Sequence, residues 1–498
     1  MAAYFSALLT ALTPENFIPM VICTVLGAIL GAIPGLSGGL GITLILPLTF
    51  SLSAEKSFCM LLGMFVGGIS GSFIASVLVG IPGSPSSIAT CFDGYPMTQN
   101  GRASKALSIG IMASFIGTAL SIIVATLLST SIADLALTLG PWEYFSLCFM
   151  AVSMVIGLSG NSIYKGLLSA FIGLFLSTIG SDSVTNSLRF TFGISNLYSG
   201  ISIVSLLLGL FAVEMVAVNY AKGQQSMPDV SDTNLKGFGI GIKDFTEHAR
   251  TILVSFLLGL WIGFLPGLGG SVSSMIAYGQ AKRSSRHPEA YGHGCEDGVW
   301  ASETANNASI GGAIIPMIAL GIPGDANTAL LLSAMIIHGL QPGPMFISKN
   351  PELAYLILGC ILLSAAAIFV IEILTKRWFP YLLKAPYHYL YSVILVLCFV
   401  GAFSQGNNMF AIYSVLIFAV LGIILNMLEI PSSPLLLSFI LGGSLEQYFR
   451  RGVSYAKGDY TSFFTRPVSC VFLVIGIISL LMPLIKAVRK KGKVRAAS

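Results

Sequence analysis

Residues 80–87 read GIPGSPSS and close a 23-residue uncharged run, and residues 321–328 read GIPGDANT and close a similar run. In a soluble chain, Pro-Gly followed by small polar residues marks a surface turn. The composition argues against that here. Of 498 residues, 55% are hydrophobic and 9% are charged, where soluble domains carry about 25% charged residues. The stretches Ser57–Gly80, Ala106–Ser129 and Pro467–Ile485 hold no charge, and each is long enough to cross about 30 Å of hydrocarbon as a helix. Runs of this kind predict about ten to twelve crossings plus several shorter apolar segments. No alternating strand pattern suggests a barrel. The expected fold is an all-α polytopic membrane protein, with re-entrant or broken segments where Pro-Gly interrupts the apolar runs.

The interruptions come in pairs. GAIPGLSGG at 31–39 aligns with GFLPGLGGS at 263–271, and VGIPGSPSS at 79–87 aligns with LGIPGDANT at 320–328. The offsets are 232 and 241 residues, and a longer polar loop at 281–299 absorbs the difference. Two motifs in one order at nearly one separation mark a duplicated unit. Charge sets how the copies sit. In the first copy the loop between the motifs holds Glu55 and Lys56, and Arg102 and Lys105 follow the second motif. In the second copy Lys282, Arg283 and Arg286 lie between the motifs, and Lys349 follows them near Glu352. With basic loops on the cytoplasmic side, equivalent loops fall on opposite faces, which predicts two inverted-topology repeats. Arg450 and Arg451 fit that pattern poorly. The expected division is a first repeat at 1–220, a polar loop at 221–250, and a second repeat at 251–498. The loop reads as solvated or as a contact for a partner subunit.

A Pro-Gly break inside a membrane frees backbone N–H and C=O groups, which are tolerated only when buried in protein or lining a polar cavity. A half-helix that starts after the break aims free N–H groups and a partial positive charge at that cavity. The candidate binding residues therefore cluster at four breaks. The first comprises Pro34, Gly35, Ser37, Gly38 and Gly39, and its repeat comprises Pro266, Gly267, Gly269 and Gly270. The second comprises Pro82, Gly83, Ser84, Ser86 and Ser87, and its repeat comprises Pro323, Gly324, Asn327 and Thr328. Ser84 and Asp325 also suit plain N-cap roles, and the glycines suit close helix packing. Asp325 would repel an anion and reads better as a cation ligand or proton acceptor. Glu303, Asn306 and Asn307 share one helix face, and intramembrane carboxylates are functional by default. Glu303 and Asp325 are thus the expected ion-coupling residues, with side-chain oxygens of Asn306, Asn307 and Thr328 suited to sodium. Glu214, Glu372 and Glu429 lie near the ends of apolar runs and read as interfacial.

Other chemistry finds little support. The eight cysteines are scattered and form no C-x-x-C pair, and the five histidines show no H-E-x-x-H spacing, so neither a disulfide framework nor a metal site is expected. The N-terminus lacks a basic n-region, so the first helix is expected to stay in the mature protein. The tail KAVRKKGKVRAAS places the C-terminus in the cytoplasm. GLSG at 35–38 and 157–160 matches the G-x-S-G of rhomboid-type serine proteases. Such an enzyme needs a histidine beside the serine, and His338 is the one candidate at the edge of an apolar run. The repeat, however, carries Gly269 in place of Ser37. Glycine geometry is what the two copies share.

The segments PGLSGG, GIPGSPSS…DGYP and ETANNASIGGAIIPMIALGIPGDANTALLLSAMIIHGLQPGP together resemble the large membrane subunit, TctA, of the tripartite tricarboxylate transporters. The resemblance covers nearly the whole chain and is strongest over 20–110 and 255–350. It implies a bacterial inner-membrane permease for citrate-like or other carboxylates, driven by a sodium or proton gradient and using no cofactor. It also implies a small four-helix membrane subunit (TctB-like) and a periplasmic solute-binding protein (TctC-like). The family's motifs fall on Pro34–Gly39, Gly80–Ser87, Glu303–Asn307 and Gly321–Thr328. Asp325 departs from the pattern, since relatives often carry a small hydroxyl residue there. A carrier working alone, without a binding protein, is the alternative within transport.

Overall fold

The computed structural model describes residues 2–158, 162–182, 185–222, 235, 237–383 and 387–495. Much of the expected 221–250 loop and part of the second GLSG lie outside these residues. The chain is almost entirely helical. A short helix α1 (Ala2–Leu12) leads into α2 (Pro14–Ala32), which ends at the first break. Helix α3 (Gly38–Ile45) follows, then α4 (Ala54–Gly71) continued by α5 (Phe73–Leu78). The second break leads into α6 (Ile88–Gln99) and the long α7 (Ala103–Leu137). Helices α8 (Pro141–Leu158) and α9 (Ile163–Ser177) come next, then a minimal antiparallel pair, β1 (Gly180–Ser181) and β2 (Leu188–Arg189). Helix α10 (Ile203–Leu207) passes through a π-helical stretch, Leu208–Val213, into α11 (Glu214–Lys222).

The pattern then recurs. Helix α12 (Ile242–Phe264) begins inside the expected polar loop, because Asp244 accepts from the Gly241 N–H at 2.7 Å and caps its first turn. After a break come α13 (Gly269–Ser284) and α14 (Glu296–Leu320). A further break leads to α15 (Ala326–Ile337), a short α16 (Phe346–Lys349) and α17 (Pro351–Thr375). The chain closes with α18 (Phe379–Leu382), α19 (Tyr387–Gly406), α20 (Met409–Met427), α21 (Ser432–Tyr455), α22 (Ser462–Thr465) and α23 (Pro467–Arg495). Among the described residues six helical spans are long and apolar enough to cross a bilayer singly, and six further apolar helices run 10–17 residues. The chain is an all-α polytopic membrane protein.

The duplication is visible at the level of single contacts. Gly27 lies against the Met64 carbonyl and Gly31 against that of Gly68, while Gly71 meets Ala28. In the second copy Gly259 lies against the Ala305 carbonyl and Gly263 against that of Ser309, while Gly312 meets Leu260. These are the same pairs displaced by 232 and 241 residues. Small residues let the backbones touch, which is how helices pack where no hydrophobic drive separates them from lipid. The contacts advance together along both chains, so α2 runs parallel to α4, and α12 to α14. Helix α3 must then double back to the end where α2 began, so that the first break is the tip of a re-entrant hairpin.

The copies are inverted. Helices α7 and α17 hold equivalent places, yet they pack antiparallel. Phe115 stacks on Phe369 with ring centroids 4.7 Å apart, and Lys376, just past α17, reaches Ser104 and Ser108 near the start of α7, each at 2.9 Å. A two-fold axis across the helix direction is the only operation that maps one helix onto the other. Helix α7 is in turn parallel to α14, with Ser114 on Asn307 at 2.9 Å and Ser121 on the Gly311 N–H at 3.3 Å.

One end of the molecule gathers the basic loops. There Lys105 bridges Asp244 and Glu296 at 2.9 and 2.8 Å, and Arg102 donates to the Gly294 carbonyl at 2.6 Å. Asp93, of the DGYP segment, accepts the N–H groups of Gly292, Gly294 and Cys295 at 2.8–2.9 Å and fastens α6 to that same loop. Helix α23 runs parallel to α8, joined by Ser146 and Ser469 at 2.7 Å, so its C-terminal end points to this basic end. Cys59 of α4 meets Cys360 at 3.1 Å, well before Lys376 along α17, while Phe73 lies beside Gly110 near the start of α7, so the chain from Lys56 to Phe73 runs toward the basic end and Lys56 lies at the opposite one. Arg450 also lies at that opposite end, where Asp182 at 3.0 Å and Glu446 neutralise it. Arg466 there pairs with Glu143 at 3.3 Å and lies over the Trp142 ring.

With the native cysteines removed, single cysteines at Arg102 and Arg283 are expected to resist a membrane-impermeant maleimide on whole cells, and one at Lys56 to react. Labelling at Arg283 without labelling at Lys56 would refute the assignment of ends.

Candidate functional site

Each of the four breaks is built by a left-handed glycine. Gly35 and Gly267 have φ of +84° and +82°, and Gly80 and Gly321 have φ of +72° and +71°. Only glycine takes that conformation without steric cost, and a helix that ends on it cannot continue. The chain after Gly80 doubles back beside α5, with the Gly83 N–H on the Ser72 carbonyl at 3.3 Å, and then starts α6. In the second copy the chain after Gly321 also doubles back, with Gly324 against Ala313, and then starts α15. Four short helices thus begin at breaks, and all four begin at one place.

That place is a cavity of about 420 Å³, within the range typical of small-molecule sites. Repeat one contributes Ser37, Gly38 and Gly39 from its first break, and Ser84 and Ser86 from its second. Repeat two contributes Gly267, Gly269 and Gly270, then Pro323, Asp325 and Asn327. The tips interlock across the two-fold axis. A Cβ on Gly39 would lie 2.7 Å from Asn327 Oδ1, and one on Gly270 would lie 3.2 Å from Ser86 Cβ. At mid-height the buried helices α4 and α14 close the cavity with Gly68, Ile69 and Asn306.

The other expected residues stand around it. Pro34 and Gly35 form the outer side of their turn, where the Gly35 carbonyl accepts from Asn219 at 2.8 Å. Pro266, like Pro34, lies in the turn that ends its helix, and Pro82 lies in the irregular stretch between Gly80 and its tip. Ser87 is buried and hydrogen-bonded to Ser76 at 2.9 Å. Thr328 donates to Asp325 Oδ1 at 2.7 Å, and its own N–H donates there at 2.8 Å. Asp325 is therefore the N-cap of α15, as Ser37 is of α3, where it accepts from Leu40 N–H at 3.2 Å. Gly83 and Gly324 face away from the cavity. A Cβ on Gly83 would run into the carbonyl oxygens of Gly31 and Ser72, and one on Gly324 into those of Gly263 and the side chain of Ala313. These two glycines hold the tips against their own repeats. They do not offer backbone to a ligand.

Glu303 and Asn307 lie one layer behind Asn306, fully buried. Asn306 Nδ2 donates to Glu303 Oε2 at 3.4 Å, Asn307 Nδ2 donates there at 3.3 Å, and the Thr90 hydroxyl donates to Glu303 Oε1. Asn306 Oδ1, by contrast, is buried without a partner. His338 lies with its Nε2 3.2 Å from Thr49 Oγ1, apart from the capping hydroxyl of Ser37.

Sequence reasoning missed one wall. Phe211, Glu214 and Met215 line the cavity, because the π-helical stretch Leu208–Val213 shifts the phase of the helix just before Glu214. Ser433, Leu436 and Leu437 of α21 and Val155 of α8 complete it. Glu214 was legible as a carboxylate in an apolar run, but its place near the end of that run pointed to the interface. Glu372, read the same way, is 2% exposed and belongs to the interior. Glu429 is exposed and pairs with Lys165 at 3.2 Å. Among the described residues the lining holds two carboxylates, Glu214 and Asp325, and no lysine, arginine or histidine.

An inverted-repeat bundle whose broken helices meet on an internal cavity is the architecture of a membrane transport protein. The chain belongs to the tripartite tricarboxylate transporter TctA family, whose description it matches over residues 17–437. It is 32% identical over 482 residues, 97% of this chain and 96% of the relative, to an Agrobacterium vitis protein described as "Uncharacterized 52.8 kDa protein in TAR-I ttuC' 3'region". A second Agrobacterium vitis protein, "Uncharacterized protein in TAR-II ttuC' 3'region", is 32% identical over 233 residues, 47% of this chain and 96% of that one. No solved structure matches the chain. As a member of this family the protein is a multi-pass membrane component of a transporter that has partner subunits.

The backbone contacts at the tips make a specific stability prediction. Gly324→Ala forces a methyl against the Gly263 carbonyl and is expected to cost about 1–3 kcal/mol by overpacking. Gly279, within α13, has open space where a Cβ would go, so Gly279→Ala should be neutral or slightly stabilising. Melting of the purified protein in detergent separates the two, and equal melting temperatures would show that the tips are not tightly packed.

Proposed function

We propose that this chain is the permease subunit through which a small carboxylate, such as a tricarboxylate, is imported across the bacterial inner membrane by secondary transport. The observation that supports this most is the convergence of four helix N-termini on one cavity. Each N-terminus carries roughly half a positive charge and, beyond the N–H groups taken by the Ser37 and Asp325 caps, free N–H donors, and together they form an anion site made from backbone. Ser37, Ser84 and Ser86 add hydroxyls to the same space.

The two acidic side chains in the lining make symport the natural partner of that chemistry. An anion entering beside Glu214 and Asp325 meets like charge at short range. A cation or proton entering with it removes the repulsion, and Glu303 behind Asn306 is placed to take part. The coupling ion is sodium or a proton. Delivery falls to a periplasmic solute-binding protein of the TctC type, and a small four-helix TctB-like subunit completes the complex. The basic end, with the C-terminal tail, is the cytoplasmic one under the positive-inside rule.

Thermal-shift screening of the cognate periplasmic protein identifies the carboxylate, and uptake of that compound by cells carrying all three subunits tests the site. Ser86→Ala removes one neutral hydrogen bond and should lower transport by about fivefold, or about 1 kcal/mol. Ser86→Phe should fill the cavity and abolish uptake, and Glu303→Gln should abolish ion-driven uptake, each at normal amounts in the membrane. Wild-type transport by Ser86→Phe would place substrate binding elsewhere.

A further inference from the structure

The DGYP segment lies away from the cavity, yet it ties one repeat to the other. Asp93 is fully buried in α6, and its Oδ1 accepts three backbone N–H groups, from Gly292, Gly294 and Cys295, at 2.8–2.9 Å. Gly292 and Gly294 hold left-handed φ of +93° and +97°, and such turns gather N–H groups into a concave, anion-binding nest. Asp93 Oδ2 is buried without a partner, and a Cβ on Gly298 of α14 would collide with it. Around this clamp Arg102 donates to the Gly294 carbonyl at 2.6 Å, and Asn100 to that of His293 at 3.4 Å. Phe92 packs edge-on against Tyr278 of α13, with ring centroids 5.3 Å apart.

The clamp joins two helices that begin at the cavity. Helices α6 and α13 start where Ser86 lies against Gly270, and both run to the basic end. The two-fold relation places an equivalent pair on the other side. Helices α3 and α15 start where Gly39 lies against Asn327, and both run to the opposite end. The contact there is slighter. His338, the C-cap of α15, lies with its Nε2 3.2 Å from Oγ1 of Thr49, just past α3. Thr49 gives its own hydrogen to the Leu46 carbonyl at 2.6 Å, so it accepts from His338. Hydrogen bonds to a carboxylate are roughly twice as strong as neutral ones. Three of them hold the pair at the basic end, against one histidine–hydroxyl bond, among the described residues, at the other.

We propose that Asp93 is the latch of an inner gate between α6 and α13, with His338 and Thr49 forming the lighter outer latch. The proposal rests on the carrier reading above and adds the order in which the two ends open. Before substrate arrives the clamp keeps the basic end shut, and the outer pair is the one that parts. Release inward requires Asp93 to leave its nest. A bound ligand drives that step only by its extra affinity for the inward-open form. An importer fed from outside gains from this inequality, because its empty cavity stays closed to the cytoplasm. Asp93 lies outside the cavity lining, so it is a positioning residue that acts through α6 on Ser84 and Ser86.

Two experiments on the complete transporter test the latch. In a background without native cysteines, Ser86→Cys offers a cavity thiol to a charged, membrane-impermeant thiol reagent. With Asp93 intact it should react in whole cells, and about tenfold more slowly from the cytoplasmic face of inside-out vesicles. Asp93→Asn keeps the shape and removes the charge, and it should raise the cytoplasmic-face rate by about tenfold. Separately, Asn100→Cys with His293→Cys places two exposed thiols on either side of the clamp, for a cross-link closed by mild oxidation. Closing it should abolish uptake into proteoliposomes, and a reductant should restore it. Transport by the cross-linked protein overturns the gate, whether or not Asp93→Asn reaches the membrane. Equal labelling from both faces with Asp93 intact, or unchanged labelling in Asp93→Asn, overturns it as well. Absence of uptake by the wild-type transporter would instead sink the carrier reading, since labelling reports the gate without any substrate.

Discussion

Backbone N–H and C=O groups cannot be left unpaired in hydrocarbon, and the whole arrangement follows from that constraint. Four breaks within apolar helices free such groups at four points. The chain tolerates them because all four tips meet around a single cavity, walled off from lipid by the remaining helices. Helices α4 and α14 accordingly lie at the centre and are buried along most of their length. Glycine makes the convergence possible in two separate ways. Gly35, Gly80, Gly267 and Gly321 supply left-handed backbone that ends a helix. Gly83 and Gly324 allow the returning strand of each tip to touch the carbonyls of its own repeat.

The repeats share a backbone but not a chemistry. Displaced by 241 residues, Glu303, Asn306 and Asn307 fall on Leu62, Phe65 and Val66. Asp325 and Asn327 fall on Ser84 and Ser86. Both copies therefore build the frame and its helix N-termini, while the buried carboxylate network belongs to the second copy alone. The first copy still contributes an acidic side chain to the cavity, Glu214, from outside the aligned motifs.

Some features were open to reading from the residues alone. Membrane class follows from low charge and long apolar runs, since neither depends on what packs against what. The duplication follows from paired motifs, and the inversion from the charges at Lys56, Arg102 and Arg283, which lie in loops and keep their meaning wherever the helices go. The breaks follow from Pro-Gly, because the chemistry of a proline and a left-handed glycine is local. The cavity-facing places of Ser37, Ser86, Asn306 and Asn327 were within reach for the same reason, as each lies within a few residues of a break or on the face it defines.

What only the tertiary structure decided depends on partners far along the chain. Gly83 and Gly324 suggested close approach to a ligand, but what they approach is Gly31, Ser72 and Gly263. Glu214 and Glu372 looked interfacial because depth in a membrane was inferred from distance to the end of an apolar run. A π-helical stretch shifts the phase of one helix, and antiparallel packing on α7 buries the other. Arg450 contradicted the charge pattern until Asp182, 268 residues away in the chain, was seen to neutralise it. Sequence determines the local conformational preference of each segment. The contacts that assign each side chain to cavity, core or surface arise only when segments hundreds of residues apart are brought together.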